Sequence, residues 1–346
     1  MIVFTGTLLP ASSSSSEFRL GSMIRTLYVY ALFLLTVAGP TAFAQQDPQF
    51  SLYMYNPLYY NPAAAGSEGV TRIQLTHRTQ YLGYQTIGNG DESAAQSTQL
   101  LSFNMPLAKI NSGIGIYALN DKYGPSINQA VQISYAYRLA LKNGTLAIGV
   151  QAGMFNKGYD YGQFRPSDPG DPLIPGGRIN QFKPDIGAGV YYNTVDYWIG
   201  VSMTHLNKAK YSYVTDRSSD PSDSKAYLTA GYRLGIGYNI DVQPSVLVQY
   251  STVQGFPGST VAVNLLGTYD NRIWAGLGYR FKDAAMATIG INLLRDNALR
   301  IGYSLDVITD GAKAKSATSH EIILGYALPA PDVRKKPIIR TPRFRY

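Results

Sequence analysis

Cysteine is absent from the 346 residues. That excludes disulfide staples and thiolate metal sites. Charge is scarce too: Asp, Glu, Lys and Arg together make up 15% of the chain. Helical enzymes rich in Lys, Glu and Leu have a different profile. No apolar run in the body approaches the roughly 20 residues that a membrane-spanning helix needs. The formal charge of +8 invites a nucleic-acid reading, but its location argues against one. Arg334, Lys335, Lys336, Arg340, Arg343 and Arg345 crowd the end of the chain against Asp332, and the body is close to neutral. No basic face remains to follow a phosphate backbone, so no nucleic-acid partner is expected.

What is abundant is tyrosine, with 28 residues, and glycine, with 34. Both suit strands with aromatic girdles. Ahead of the body, Ser12 to Ser16 belongs to a leader, residues 1–22, without fold signals. This leader is either an extended n-region or the product of a mis-assigned start, with Met23 as the true initiator. Residues 23–44 read as a cleaved signal peptide. Arg25 is the n-region, Leu27 to Ala38 the apolar core, and Ala42-Phe43-Ala44 the small-x-small cleavage site.

From residue 70 onward the pattern is period two. Val131, Ile133, Tyr135, Tyr137 and Leu139 alternate with Gln132, Ser134, Ala136 and Arg138. Leu299, Ile301, Tyr303, Leu305 and Val307 alternate with Arg300, Gly302, Ser304 and Asp306. Fourteen such segments are expected, near 70–82, 95–105, 113–122, 127–140, 144–156, 185–192, 196–206, 226–238, 242–251, 259–269, 271–281, 285–294, 298–308 and 319–328. Most are long enough to cross a bilayer at a tilt. Connections after the even-numbered segments are mostly tight, such as Lys142-Asn143-Gly144 and Asp270-Asn271. Those after segments 1, 5, 7 and 13 are long and polar. This asymmetry predicts an all-β, transmembrane, antiparallel up-and-down β-barrel over 70–328, with periplasmic short turns and both ends of the barrel on that side. Closure follows from the backbone, because in lipid every N–H and C=O needs a partner. A soluble β-sandwich is the alternative, but its strands are usually about 5–6 residues.

Several features tempt a chemical reading. His205 and His320 fall at strand ends on the apolar parity, where amphipathic rings meet a membrane interface; His77 is mid-strand and has no such explanation. A barrel lipase needs a serine within reach of a lipid-facing histidine. Nothing in the sequence pairs them, so no catalysis and no cofactor is expected. The Gly-x-Gly pairs 113/115, 187/189, 235/237 and 276/278 lack the following helix of a nucleotide loop and read as small lumen-facing residues. Loop 157–184 carries Arg165, Asp168, Asp171 and Arg178, and loop 207–225 carries Asp216, Asp220 and Asp223. They read as solvated extracellular loops and as the best candidates for contact with a surface partner.

The most unusual stretch is 47–66, with its two Asn-Pro steps and clustered aromatics. Proline resists both a long helix and a central strand, so an extended segment docked on a finished structure is expected. Asp47-Pro48-Gln49-Phe50-Ser51, Tyr53-Met54, Asn56-Pro57-Leu58, Asn61-Pro62-Ala63 and Gly66 resemble the N-terminal signature of the PorP/SprF family of Bacteroidota outer-membrane proteins, which belong to the type IX secretion system. The basic end, Lys335-Lys336-Pro337 to Arg340-Thr341-Pro342-Arg343, resembles that family's tail. The resemblance implies a part in exporting, or holding at the surface, a cognate adhesin or gliding protein. Implied partners are the C-terminal domain of that cargo and periplasmic or lipoprotein components of the machine, besides outer-membrane lipid. Asp47, Pro48, Gln49, Phe50, Tyr53, Asn56, Pro57, Asn61, Pro62, Lys335, Lys336, Arg340 and Arg343 are then candidate partner-binding residues, with segments 45–69 and 329–346 expected in the periplasm or its barrel mouth. The alternative is a diffusion porin or small-solute channel, which needs an open, charged constriction.

Overall fold

The structure, a computed structural model, describes residues 47–83, 95–163, 177–212, 220–310 and 317–329. The leader, the signal segment, Arg165, Asp168, Asp171, Asp216 and the basic tail lie outside the described residues.

Fourteen antiparallel strands close into one barrel. They are β1 (Arg72–Gln80), β2 (Gln96–Leu107), β3 (Ser112–Tyr123), β4 (Ser126–Leu141), β5 (Gly144–Asp160), β6 (Arg178–Asn193) and β7 (Tyr197–Thr204). Then come β8 (Lys225–Tyr232, resumed as Leu234–Ile236), β9 (Ile240–Ser251), β10 (Gly255–Tyr269), β11 (Ile273–Arg280), β12 (Ala284–Leu293), β13 (Leu299–Ile308) and β14 (Thr318–Ala327). Each strand pairs with its sequence neighbours, and β1 closes the ring on β14, from Arg72 opposite Ala327 to Thr79 opposite His320. Between β7 and β8, Lys210–Tyr211 and Asp220–Pro221 form a separate small ribbon. No helix among the described residues is long and apolar enough to cross a membrane.

Alternation sets the two faces. On β4, Val131, Ile133, Tyr135 and Tyr137 point outward, while Ala130, Gln132, Ser134 and Ala136 are buried. The outward residues form the lipid face. The chain ends of the barrel meet at the short-turn end, where the Leu328 N–H donates to the Thr71 carbonyl at 2.7 Å.

Two departures from the sequence pattern have local causes. β6 starts at Arg178 rather than near 185: Arg178 to Pro184 lacks the apolar alternation that marks a strand, but it pairs with β5 from Asp160 opposite Arg178 to Met154 opposite Pro184. Pro184 lies beyond the last β6–β7 pair, Ala188 opposite Met203, where a missing N–H is tolerated. The eighth strand is interrupted at Arg233, and Gly237, expected within a strand, sits in the following turn with φ +69°.

The long-loop rim is chemically lopsided. Across β1 to β6, outward side chains form a hydrogen-bonded polar ladder. His77 meets Gln99, Asn120 donates to Gln99, Gln129 to Asn120, and Asn156 to both Gln129 and Asn180. This accounts for mid-strand His77. On the other side the rim carries aromatic pairs, Tyr250 with Phe256 and Tyr279 with Phe281.

Candidate functional site

The segment 47–66 lies inside the barrel. It runs from the long-loop end, where Asp47 meets His205, to the short-turn end, where Gly66 passes Gly113 and Pro106. It is a plug. The expectation that it sits at the same mouth as the barrel's two ends holds for part of the segment, including Tyr55 and Ala65–Gly66; Asp47 is at the opposite mouth.

Nor is the plug extended. It makes three single helical turns, Tyr53–Tyr55, Pro57–Tyr60 and Pro62–Ala64. Proline forbids a helix interior but suits its first position, where the missing N–H has no partner to lose. Pro57 and Pro62 each sit there. The Asn before each proline docks on the wall, and Asn61 also caps its turn. Asn61 Oδ1 accepts from the Ala63 N–H at 2.9 Å, and its Nδ2 donates to the Val190 carbonyl at 3.0 Å. Asn56 Oδ1 accepts from Gln74 Nε2 at 2.8 Å and Thr76 Oγ1 at 3.1 Å.

Apolar packing fills the space between. Phe50, Leu52, Tyr53, Leu58, Tyr59 and Tyr60 are all buried, each contributing about 2 kcal/mol by area removed from water. Tyr59 packs edge-on against Phe50, Tyr60 and Tyr117. Where the plug backbone touches the wall, the wall is glycine. A Cβ on Gly113 would collide with the Ala65 carbonyl, and one on Gly149 with the Ala63 backbone. Gly115 and Gly189 make room for Leu58 and Asn61 in the same way. The pair 113/115, and Gly189 of the pair 187/189, therefore mark plug contact, whereas Gly187 faces Met203 and Thr204 of the wall.

Buried charge holds the plug midway. The Ser51 and Leu52 N–H groups donate to the two oxygens of Glu321, at 2.7 and 3.1 Å. Ser51 Oγ donates to Asp306 at 2.7 Å and accepts from Arg78 at 2.8 Å and Arg280 at 3.1 Å. Arg78 in turn pairs with Asp306 at 2.7 Å and Glu321 at 3.1 Å, and every member of the cluster is at most 2% exposed.

A second cluster closes the long-loop end. The His205 ring lies between Asp185, at 2.8 Å from Nδ1, and Asp47, at 3.4 Å from Nε2. Tyr227 OH donates to Asp47 at 3.2 Å. Burial alone would discourage the histidine's charge, but the two carboxylates outweigh it and push His205 up to about 10. Burial likewise opposes the charge of Asp47, yet His205 and Lys225 hold its carboxyl well below the usual range. His205 was expected at the lipid interface. It sits just past the end of β7 with φ +54°, and that backbone turn takes it off the strand's parity and into the lumen. Its Nε2 faces Asp47, not a serine.

Of the expected contact residues, the structure gathers Asp47, Pro48, Gln49, Phe50, Tyr53, Asn56, Pro57, Asn61 and Pro62 in the plug, facing the chain's own wall. Gln49 Nε2 donates to Gln249 at 3.1 Å and Thr260 at 2.8 Å. Arg178 lies apart from them, exposed at the start of β6, with its Nε donating to Asn180 at 3.2 Å. Asp223 is no free loop carboxylate: it pairs with Lys225 at 2.8 Å and accepts from Ser251 at 2.5 Å. Arg78, Arg280, Asp306, Glu321 and Asp185 went unmarked as site residues in the sequence, and His205 was assigned to the wrong face. Inward parity was the available signal for the five unmarked residues. No group of metal-binding residues occurs among the described residues.

A family model described as type IX secretion system membrane protein PorP/SprF matches residues 42–326. No curated protein matches the chain. Similar solved structures include the Ralstonia pickettii toluene transporter TbuX, with 14% identity over 79% of this chain and 93% of that one, at a TM-score of 0.49. The Pseudomonas putida toluene transporter TodX has 13% identity over 79% and 93%, at a TM-score of 0.47. The Acinetobacter baumannii outer membrane protein Omp33 has 7% identity over 75% and 98%, at a TM-score of 0.43.

Proposed function

Because the chain belongs to the type IX secretion system membrane protein PorP/SprF family, we propose that it serves that system as a plugged outer-membrane docking barrel. On this reading it assists export or surface attachment of a cognate secreted protein of the adhesin or gliding type. The observation that carries the reading is the filled lumen. A segment anchored by Glu321, Asp306, Arg78 and Arg280 occupies the path that a diffusion channel would keep open. A barrel closed by its own chain works through its surfaces.

The short turns then face the periplasm, with the barrel's last strand leading to the basic tail there. Lys335, Lys336, Arg340 and Arg343 would engage periplasmic or lipoprotein components of the machine. The long loops, including Arg165, Asp168, Asp171 and Arg178, would face the secreted cargo. Asp47 to Pro62 would act indirectly, by shaping the lumen from within.

The test is a mild-detergent pull-down of the tagged protein from native outer membrane, with conductance of the purified barrel measured in planar bilayers. Stoichiometric recovery of a large secreted surface protein, retained in salt, with little conductance, is the expected result. Recovery of the barrel alone from cells expressing such surface proteins, together with steady ohmic conductance, would overturn the reading in favour of a channel.

A further inference from the structure

At the short-turn mouth the plug and the wall line an open pocket of about 240 Å³. It lies away from both charged clusters, and its floor is Tyr55 of the plug. The Tyr55 ring is held by Trp274, with centroids 4.8 Å apart, and by the Arg300 guanidinium, 4.3 Å from the ring centre.

The polar lining is unbalanced. Two guanidiniums, Arg233 and Arg300, share it with one carboxylate, Asp241. Stacking on Tyr55 uses the face of Arg300 and leaves its in-plane N–H groups to be satisfied elsewhere. Its Nε is buried without an acceptor among the described residues. Trp274 is 1% exposed, and its indole N–H also lacks an acceptor. Both groups are donors only. Beside them, Asn292 presents a buried Oδ1 with no donor. The cavity therefore asks for an oxyanion opposite the guanidiniums and indole, and for a hydrogen-bond donor near Asn292 and Asp241. Its volume falls below the roughly 300–1,000 Å³ usual for drug-sized ligands. Trp274 and Leu266 give it an apolar wall.

We propose that this cavity binds a small organic carboxylate bearing a hydroxyl or ammonium group, of α-amino-acid or α-hydroxy-acid size. Arg300 and Arg233 take the carboxylate, Asn292 and Asp241 take the donor, and Tyr55 makes the plug part of the site. Occupancy then adds a ligand-mediated link between the wall and the base of the plug.

The chain has two tryptophans, so Trp198→Phe leaves Trp274 as the sole tryptophan, excited selectively above the tyrosine absorption. The full mature protein in detergent is titrated with L-serine, glycolate, serinamide and inorganic phosphate while Trp274 emission is followed. A saturable change with L-serine or glycolate and none with serinamide is expected; which of the two acids binds identifies the donor. Arg300→Gln should weaken binding by about tenfold, the loss of one charge-assisted contact. Arg233→Gln, an exposed side chain at the break in β8, should do the same, and it carries the comparison if the Arg300 variant misfolds. No saturable change, an equal response to serinamide, a response to phosphate alone, or unchanged affinity in the folded Arg233 variant would each overturn the proposal.

Discussion

The Ser51 N–H lies 2.7 Å from Glu321 Oε2, which ties the plug just ahead of its first turn to the barrel's last strand. Glu321 also pairs with Arg78 on β1, so one carboxylate spans the seam where the barrel closes and the segment that fills it. Removing one partner of such a buried cluster leaves an uncompensated charge and costs about 3–5 kcal/mol. Arg78→Ala is expected to lower the temperature at which the compact band converts to the extended one on cold SDS gels. It should also admit current in planar bilayers as the plug loosens. The double variant Arg78→Met/Glu321→Met removes both charges. It leaves the Ser51 and Leu52 N–H groups without their acceptors and Asp306 with Arg280 alone, so it should recover only part of the thermal loss. If Arg78→Ala alone matches wild type in both assays, the cluster does not hold the plug.

The glycines under the plug give a steric test. Gly149 has no room for a Cβ beside Ala63, whereas a Cβ on Gly267 would have its nearest neighbour at 3.7 Å, the Ala275 carbonyl. Gly149→Val should leave a barrel that still assembles but cannot seat its plug. That would be read as new conductance and as protease cleavage within 47–66. Gly267→Ala should change neither readout.

Much of this architecture is legible in the sequence, because lipid leaves the backbone few choices. The period-two run on β4 and the tight turn at Asn143-Gly144 suffice to place strands and sides. The plug's location is not legible in the same way. Its contacts are made across the lumen, Ser51 with Glu321 and Asn61 with Val190, and no local periodicity encodes a pair that far apart. Asn-Pro signalled a special backbone but not which one, since proline at a first helical position and proline in an extended run look alike. His205 misled for a related reason: its positive φ breaks the alternation from which its facing was read.

The long-loop cluster should make stability depend on pH at the alkaline end. The folded pKa of His205 is raised to about 10 from an ordinary 6.5. The charged ring therefore contributes fully below about 6.5, and the contribution is lost as pH rises through about 10. His205→Asn keeps a residue tolerant of the left-handed backbone and removes the titration. Heat-conversion temperatures measured from pH 6 to pH 10.5 should converge for wild type and variant as pH rises. A constant gap across that range would mean that the histidine's charge is not what joins Asp47 to Asp185.

Orientation can be read directly, because a chain without cysteine accepts single reporters cleanly. Val195 lies in the short turn between β6 and β7, and Phe256 at the long-loop end of β10; both are 85% exposed. Short turns on the periplasmic side predict that Phe256→Cys reacts with a membrane-impermeant maleimide on intact cells. Val195→Cys should react only after the outer membrane is permeabilised. Leu52→Cys, at 0% exposure inside the lumen, should stay unreactive in both conditions while the plug is seated. If it becomes labelled when the secretion machine is active, the plug moves during function and the barrel is a gate as well as a dock. If it stays protected while cargo reaches the surface, the plug is a permanent part of the wall, and transport proceeds beside this barrel instead of through it.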